Sequence, residues 1–153
     1  MRITIWSGSL SFPPPEDGII RGGSGAQLSV DYVVDVGQPD GKGRAMLDVR
    51  DQHTNRNGHL HGGIIAMLLD AACGFTASMR LGEGDALTPL VTVQLNISFV
   101  GEVEKGQRVT AVGHYTGGGR KIAHIHGELA DQNGRVVATA MGVFRKITPR
   151  GIT

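Results

Sequence analysis

Residues 55–78 read NRNGHLHGGIIAMLLDAACGFTAS, and the rest of the chain is organised around them. Polar turn formers lead into an apolar run from Ile64 to Ala77 with no proline and mostly good helix formers. The run is apolar on nearly every face, the pattern of a helix enclosed by other structure. Its one carboxylate is Asp70. An unpaired ionised carboxylate is costly to bury, so Asp70 needs a partner or a chemical task. The acid and the run's length, shorter than a span of roughly 20 residues, argue against membrane insertion. The helix is expected to start at His61 or Gly62 and to end in LGEGD, residues 81–85, where Gly82 or Gly84 can supply a left-handed cap.

Gly62 and Gly63 stand at the helix start. Unpaired N–H groups there, with the helix dipole, favour a developing negative oxygen, and glycines let a substrate approach the backbone. Asp70 follows Gly62 by eight residues, about 12 Å along a helix. A carbonyl polarised at that N-terminus is out of reach of the same helix's Asp70. If both groups act on one carbonyl, the carboxylate comes from a second chain.

Downstream, Val91, Val93, Leu95, Ile97 and Phe99 alternate with Thr92, Gln94, Asn96 and Ser98, which predicts a strand with one face in the core. Segments 107–116, 121–130 and 136–147 follow, joined by GGG (117–119) and DQNG (131–134), and read as an antiparallel meander. Upstream, Leu28, Val30, Tyr32, Val34 and Val36 alternate with mostly polar residues. With Ala45, Leu47 and Val49 they predict a hairpin turning at Asp40-Gly41. Residues 1–25 read as an irregular extension, with a short strand at Ile3, Ile5 and Trp6 and a flexible joint at RGGSG (21–25). Residues 26–147 form the domain, and 148–153 are a short tail. Strands that flank one enclosed helix without βαβ alternation give an α+β architecture, one curved antiparallel sheet of about six strands around one helix.

The chain has 153 residues, 40% hydrophobic and 19% charged, with a net charge of +1, so nothing in its bulk charge favours a nucleic-acid backbone. No continuous apolar segment precedes Ser7, Gly8 and Ser9, and the expected compartment is the cytoplasm. The 24 glycines follow no Gly-X-Y period and cluster between alternating segments, as many short turns would require. The single cysteine, Cys73, lies in the apolar helix without a nearby cation and reads as core packing. His59 and His61, or His124 and His126, could be metal pairs by spacing. No cysteine pair or HExxH pattern supports them, and none is expected to hold a metal.

The segment HTNRNGHLHGGIIAMLLDAACG (53–74) resembles the hotdog-fold acyl-CoA thioesterases of the phenylacetate-pathway type, through Asn55, Gly58, His61, Gly62, Gly63 and Asp70 at that family's spacing. The likeness continues through LVTVQLNISFV (90–100) and residues 117–144, covering about residues 26–147. The resemblance implies hydrolysis of an acyl-CoA to a carboxylic acid and CoA. The Gly62 N–H would bind the thioester oxygen and His61 would hold the loop. Asn55 would orient the thioester or water. Asp70 from the partner subunit would act as general base or nucleophile, with Thr92 placing the water. Gly63 would lie against the substrate, and Gly119, Arg120 and Lys121 would meet the nucleotide end of CoA. No cofactor is implied beyond the CoA of the substrate, and the implied assembly is a homodimer or homotetramer. Two other readings stay open: a hotdog hydratase or dehydratase on hydroxyacyl thioesters, and a non-catalytic acyl-CoA binder. Neither acyl length nor acyl type is legible.

Overall fold

A computed structural model describes residues 11–147. The expected strand at Ile3, Ile5 and Trp6 and the tail 148–153 lie outside them. The elements run β1 (Ile19–Arg21), α1 (Gly25–Val30), β2 (Val33–Asp35), β3 (Arg44–Asp48), a 3-10 turn (Asp51–His53), α2 (Gly62–Leu81), β4 (Leu90–Phe99), β5 (Arg108–Gly118), β6 (Ile122–Asp131) and β7 (Val136–Lys146). The strands form one antiparallel sheet in the order β1-β2-β3-β5-β6-β7-β4. The architecture is the expected sheet around a single central helix, with seven strands where about six were expected. The extra strand, β1, lies in the stretch read as irregular.

The helix is 20 residues long, six more than the apolar run. It reaches the length of a membrane span, so length does not decide the matter. Packing does: Ile65, Leu68, Leu69, Ala72, Cys73 and Ala77 are buried by the sheet. The helix approaches closely because the strands offer glycines. A Cβ built on Gly113 of β5 would lie 2.5 Å from Thr76 Oγ1 and 2.7 Å from the Ala72 carbonyl oxygen. One on Gly127 of β6 would lie 2.7 Å from Cys73 Sγ. These glycines lie inside the strands and fit the sheet to the helix.

The hairpin of β2 and β3 is present, with Val33 opposite Met46. Its first strand is much shorter than the alternation predicted. Residues 25–30 are helical because the Ser24 hydroxyl oxygen accepts from the Gln27 N–H as an N-cap. Asp31, at φ 67°, ends the helix in the left-handed region. Gln27 is buried, its amide donating to the Ile20 and Tyr32 carbonyls, while Leu28 is half exposed.

The largest departure is in β4. The core face predicted for Val91, Val93, Leu95, Ile97 and Phe99 is broken by a register shift between Thr92 and Gln94. Thr92 pairs with buried Phe144 and Leu95 with Gly142. A β-bulge inserts one residue and reverses the side-chain alternation beyond it. Val93 is therefore 58% exposed, and Thr92 faces the helix. β4 is also an edge strand, paired on one side only with β7.

Candidate active site

The candidate residues gather at two places along α2. At the N-terminus, His61 is the N-cap residue, and its Nδ1 accepts the Gly63 N–H at 2.8 Å. That bond occupies the Gly63 donor, whereas the Gly62 N–H has no partner among the described residues. Gly62 lies under Phe99, where an added Cβ would be 3.4 Å from the ring. The loop before it is a closed turn. The Asn55 side-chain oxygen accepts from the N–H groups of Asn57 (2.9 Å) and His59 (3.2 Å), and the Asn55 N–H donates to the His59 carbonyl. Within one chain Asn55 therefore shapes the loop.

Sequence reading passed over His53, which anchors this loop and is almost fully buried. Its Nδ1 accepts the Arg50 N–H (2.9 Å), so the proton sits on Nε2, which donates to the Val30 carbonyl (2.8 Å). Its own carbonyl accepts the His61 N–H at 2.8 Å. His53 thus ties the end of α1 to the start of α2.

Asp70 sits two turns along the helix, half-buried at the side of a cavity of about 530 Å³. Thr92 donates its hydroxyl to Asp70 Oδ1 at 2.7 Å from β4, and the bulge makes that contact possible. The cavity is otherwise largely apolar, walled by Met67, Phe75, Leu90 and Phe144, with Tyr32 and Phe12 from the N-terminal part of the chain. Burial raises the Tyr32 phenol pKa, and the Asp70 charge raises it further. Tyr32 is a neutral hydroxyl beside the carboxylate, which sequence reading had taken only as a strand residue. Burial, then the Asp70 charge, also pushes the Cys73 thiol up to about 12, so no nucleophilic thiolate competes at neutral pH.

Gly119, Arg120 and Lys121 lie at the β5–β6 hairpin and line a separate cavity of about 720 Å³ with Tyr115 and Lys146. The Arg80 guanidinium stacks 4.6 Å over the Tyr115 ring at its side. Arg120 and Lys121 make no ion pair among the described residues. This is a basic pocket with an aromatic wall, chemistry that suits a phosphate and a base.

The one chain thus brings Asp70 to Thr92, His61 to Gly63, and Arg120 to Lys121. It leaves Asp70 about 12 Å along the helix from the Gly62 N–H. His59 lies 3.4 Å from Glu102, and His124 and His126 alternate with the buried Ala123, Ile125 and Gly127, which places them on the outer face. Among the described residues no group of three histidines, cysteines or acids could hold a metal.

The fold has counterparts among known proteins. Residues 57–138 match the model of the thioesterase superfamily. Mouse acyl-coenzyme A thioesterase 13 is 29% identical over 93 residues, 60% of this chain and 64% of that one, so the likeness spans less than two thirds of the relative. A Saccharolobus solfataricus protein, provisionally assigned as an esterase, is 34% identical over 103 residues, 66% of this chain and 70% of its own. A Bacillus halodurans protein solved with CoA superposes with a TM-score of 0.73 at 26% identity, covering 83% of this chain and 81% of that one. Escherichia coli PaaI, from the phenylacetic acid degradation operon, superposes with a TM-score of 0.70 at 20% identity over 82% and 86% of the two chains. The sheet wrapped around one central helix is the architecture these structures share: this chain has the hotdog fold and belongs to the thioesterase superfamily.

Proposed function

We propose that the chain hydrolyses acyl-CoA thioesters in an active site shared between two copies. The observation that carries this is the pairing of a Thr92-bonded carboxylate at an apolar cavity with an unpartnered Gly62 N–H about 12 Å away along one helix. The two serve one carbonyl only if they come from different chains. The Gly62 N–H of one copy receives the thioester oxygen as it gains negative charge. Asp70 of a second copy takes a proton from water as the water oxygen adds to the acyl carbon. The C–S bond then breaks, the CoA sulfur receives that proton, and the acid leaves. Direct attack by Asp70, through an anhydride that water then opens, gives the same products and uses the same residues.

His61 fixes the helix start, and Asn55 holds the loop that meets the thioester. Arg120 and Lys121 offer charge to the CoA phosphates beside Gly119. The free edge of β4 supports a homodimer: Val93 and Val100 are exposed there at 58% and 66%. Pairing of two such dimers makes a homotetramer, and the cytoplasm is the compartment we assign. The Bacillus relative solved with CoA supports the ligand class.

The test is CoA release from a panel of aliphatic and aryl acyl-CoA esters by pure protein, with Asp70→Asn alongside. We expect turnover that falls at least 100-fold in the variant. Wild-type turnover that Asp70→Asn leaves unchanged overturns the mechanism. Tight acyl-CoA binding by calorimetry with no thiol released overturns the enzymatic reading in favour of a binder, and hydration of enoyl-CoA without thiol release favours a hydratase.

A further inference from the structure

Of the residues that wall the Asp70 cavity, Met67, Asp70, Ala71, Gly74, Phe75 and Ser78 belong to α2. They recur at intervals of three and four, so they form one continuous stripe along the helix. The cavity is therefore a channel parallel to α2. Asp70 lies near one end. From Asp70 to Met67 is about 4.5 Å along the axis, and from Asp70 to Ser78 about 12 Å. The long arm runs toward the helix C-terminus.

That arm is apolar. The Ser78 hydroxyl donates to the Thr88 carbonyl at 2.7 Å, and the Ser24 hydroxyl oxygen accepts from the Gln27 N–H. The Thr88 hydroxyl has less than 1 Å² of accessible surface, so it is not presented to the channel. Among the described residues, Asp70, bonded to Thr92, is the one charged side chain of the lining. Midway, the helix carries Gly74, although a glycine inside a helix costs about 1 kcal/mol relative to alanine. A Cβ there would lie 3.5 Å from the Phe144 ring and 4.0 Å from Leu90. The missing side chain leaves the channel open at its middle.

The far end has its own closure. Phe12 lies beyond the region of family resemblance, and its N–H donates to the Leu87 carbonyl (3.0 Å) while the Leu87 N–H donates back (2.8 Å). Leu87 adjoins Thr88, which Ser78 holds, so this two-bond clasp sets the Phe12 side chain at the Ser78 end, packed against the core.

We propose that this channel selects the acyl group: an unbranched alkyl chain of roughly eight to ten carbons, lying along α2 from Asp70 to Ser78, with Gly74 as its gauge and Phe12 as its end wall. The proposal rests on the thioesterase reading above and adds the substrate class. A phenylacetyl ring fills the first turn beyond Asp70 and leaves the second empty, forfeiting the contacts that an alkyl chain makes there.

The experiment is CoA release from butyryl-, octanoyl-, decanoyl-, palmitoyl- and phenylacetyl-CoA by the wild-type chain, Gly74→Leu and Phe12→Ala. The wild type should use octanoyl- or decanoyl-CoA at least about tenfold better in kcat/KM than phenylacetyl-CoA. Gly74→Leu should lower the octanoyl-to-butyryl ratio at least about tenfold, because leucine fills the channel one turn from Asp70. Phe12→Ala should raise the palmitoyl-to-octanoyl ratio several-fold, and it keeps the proposal open to refutation if Gly74→Leu does not fold. An active wild type that favours phenylacetyl-CoA, or ratios unmoved by both substitutions, overturns the channel and leaves the thioesterase reading standing. A wild type that hydrolyses none of the esters overturns both.

Discussion

The Thr92 hydroxyl donates to Asp70 Oδ1 at 2.7 Å, from the edge strand β4 to the central helix α2. The bulge between Thr92 and Gln94 makes the contact, because unbroken alternation would put Thr92 on the outer face. The bond removes one rotational choice from the carboxylate and leaves Oδ2 for water. In the proposed mechanism Thr92 is a positioning residue, and its loss should act on turnover more than on affinity. We expect Thr92→Ala to lower kcat about tenfold with KM little changed, and Thr92→Ser, which keeps the hydroxyl, to restore most of the loss. Steady-state kinetics on one acyl-CoA separates this from a packing role, in which alanine and serine would behave alike.

The fit of α2 to the sheet rests on missing side chains. Gly113 of β5 faces Thr76, whose hydroxyl accepts the Gly43 N–H at 2.8 Å and lies within hydrogen-bond reach of the Ala72 and Gly113 carbonyls. A methyl group on Gly113 meets Thr76 Oγ1 at 2.5 Å and backbone at 2.7 Å, so the helix or strand must shift. Gly113→Ala should destabilise the protein by about 1–3 kcal/mol. Gly117, in the same strand, has nothing within 4 Å of an added Cβ, and Gly117→Ala should fall within about 0.5 kcal/mol of wild type. Denaturant unfolding of the two variants measures the difference directly.

These contacts also mark where the sequence could be read and where it could not. The enclosed helix and the β5–β6–β7 meander were legible, because apolar periodicity and turn residues are local signals. The alternation at Leu28, Val30 and Tyr32 misled, because a Ser24 cap and the buried amide of Gln27 outweigh a two-residue period over so short a stretch. The bulge at Val93 was hidden: one inserted residue changes parity without changing composition. Asp70 stood out as a lone acid in an apolar run, and Thr92 stood out through family spacing. Phe12 and Tyr32 did not, since their place on the wall of the Asp70 cavity depends on chain folding over 38 residues or more. The need for Gly113 and Gly127 inside the strand segments 107–116 and 121–130 was hidden for the same reason; what requires them is a helix distant in sequence.

A histidine on the outer face of the sheet should make the fold sensitive to mild acid. His114 of β5 lies with its ring 6.1 Å from that of His126 on β6. Partial burial lowers its pKa below the usual 6.5, Lys42, His126 and Arg44 lower it further, and Glu128 opposes them. A base harder to protonate when folded than when unfolded binds fewer protons in the native state. Its contribution to stability is complete above 6.5 and is lost as pH falls through 6.5 toward the lower folded value. His114→Asn removes the titration, so the melting temperature of the variant should drop less than that of wild type between pH 7.5 and pH 5.5. Thermal melts in a series of buffers at constant ionic strength measure this. Parallel curves for the two proteins would show that protonation of His114 is not coupled to folding.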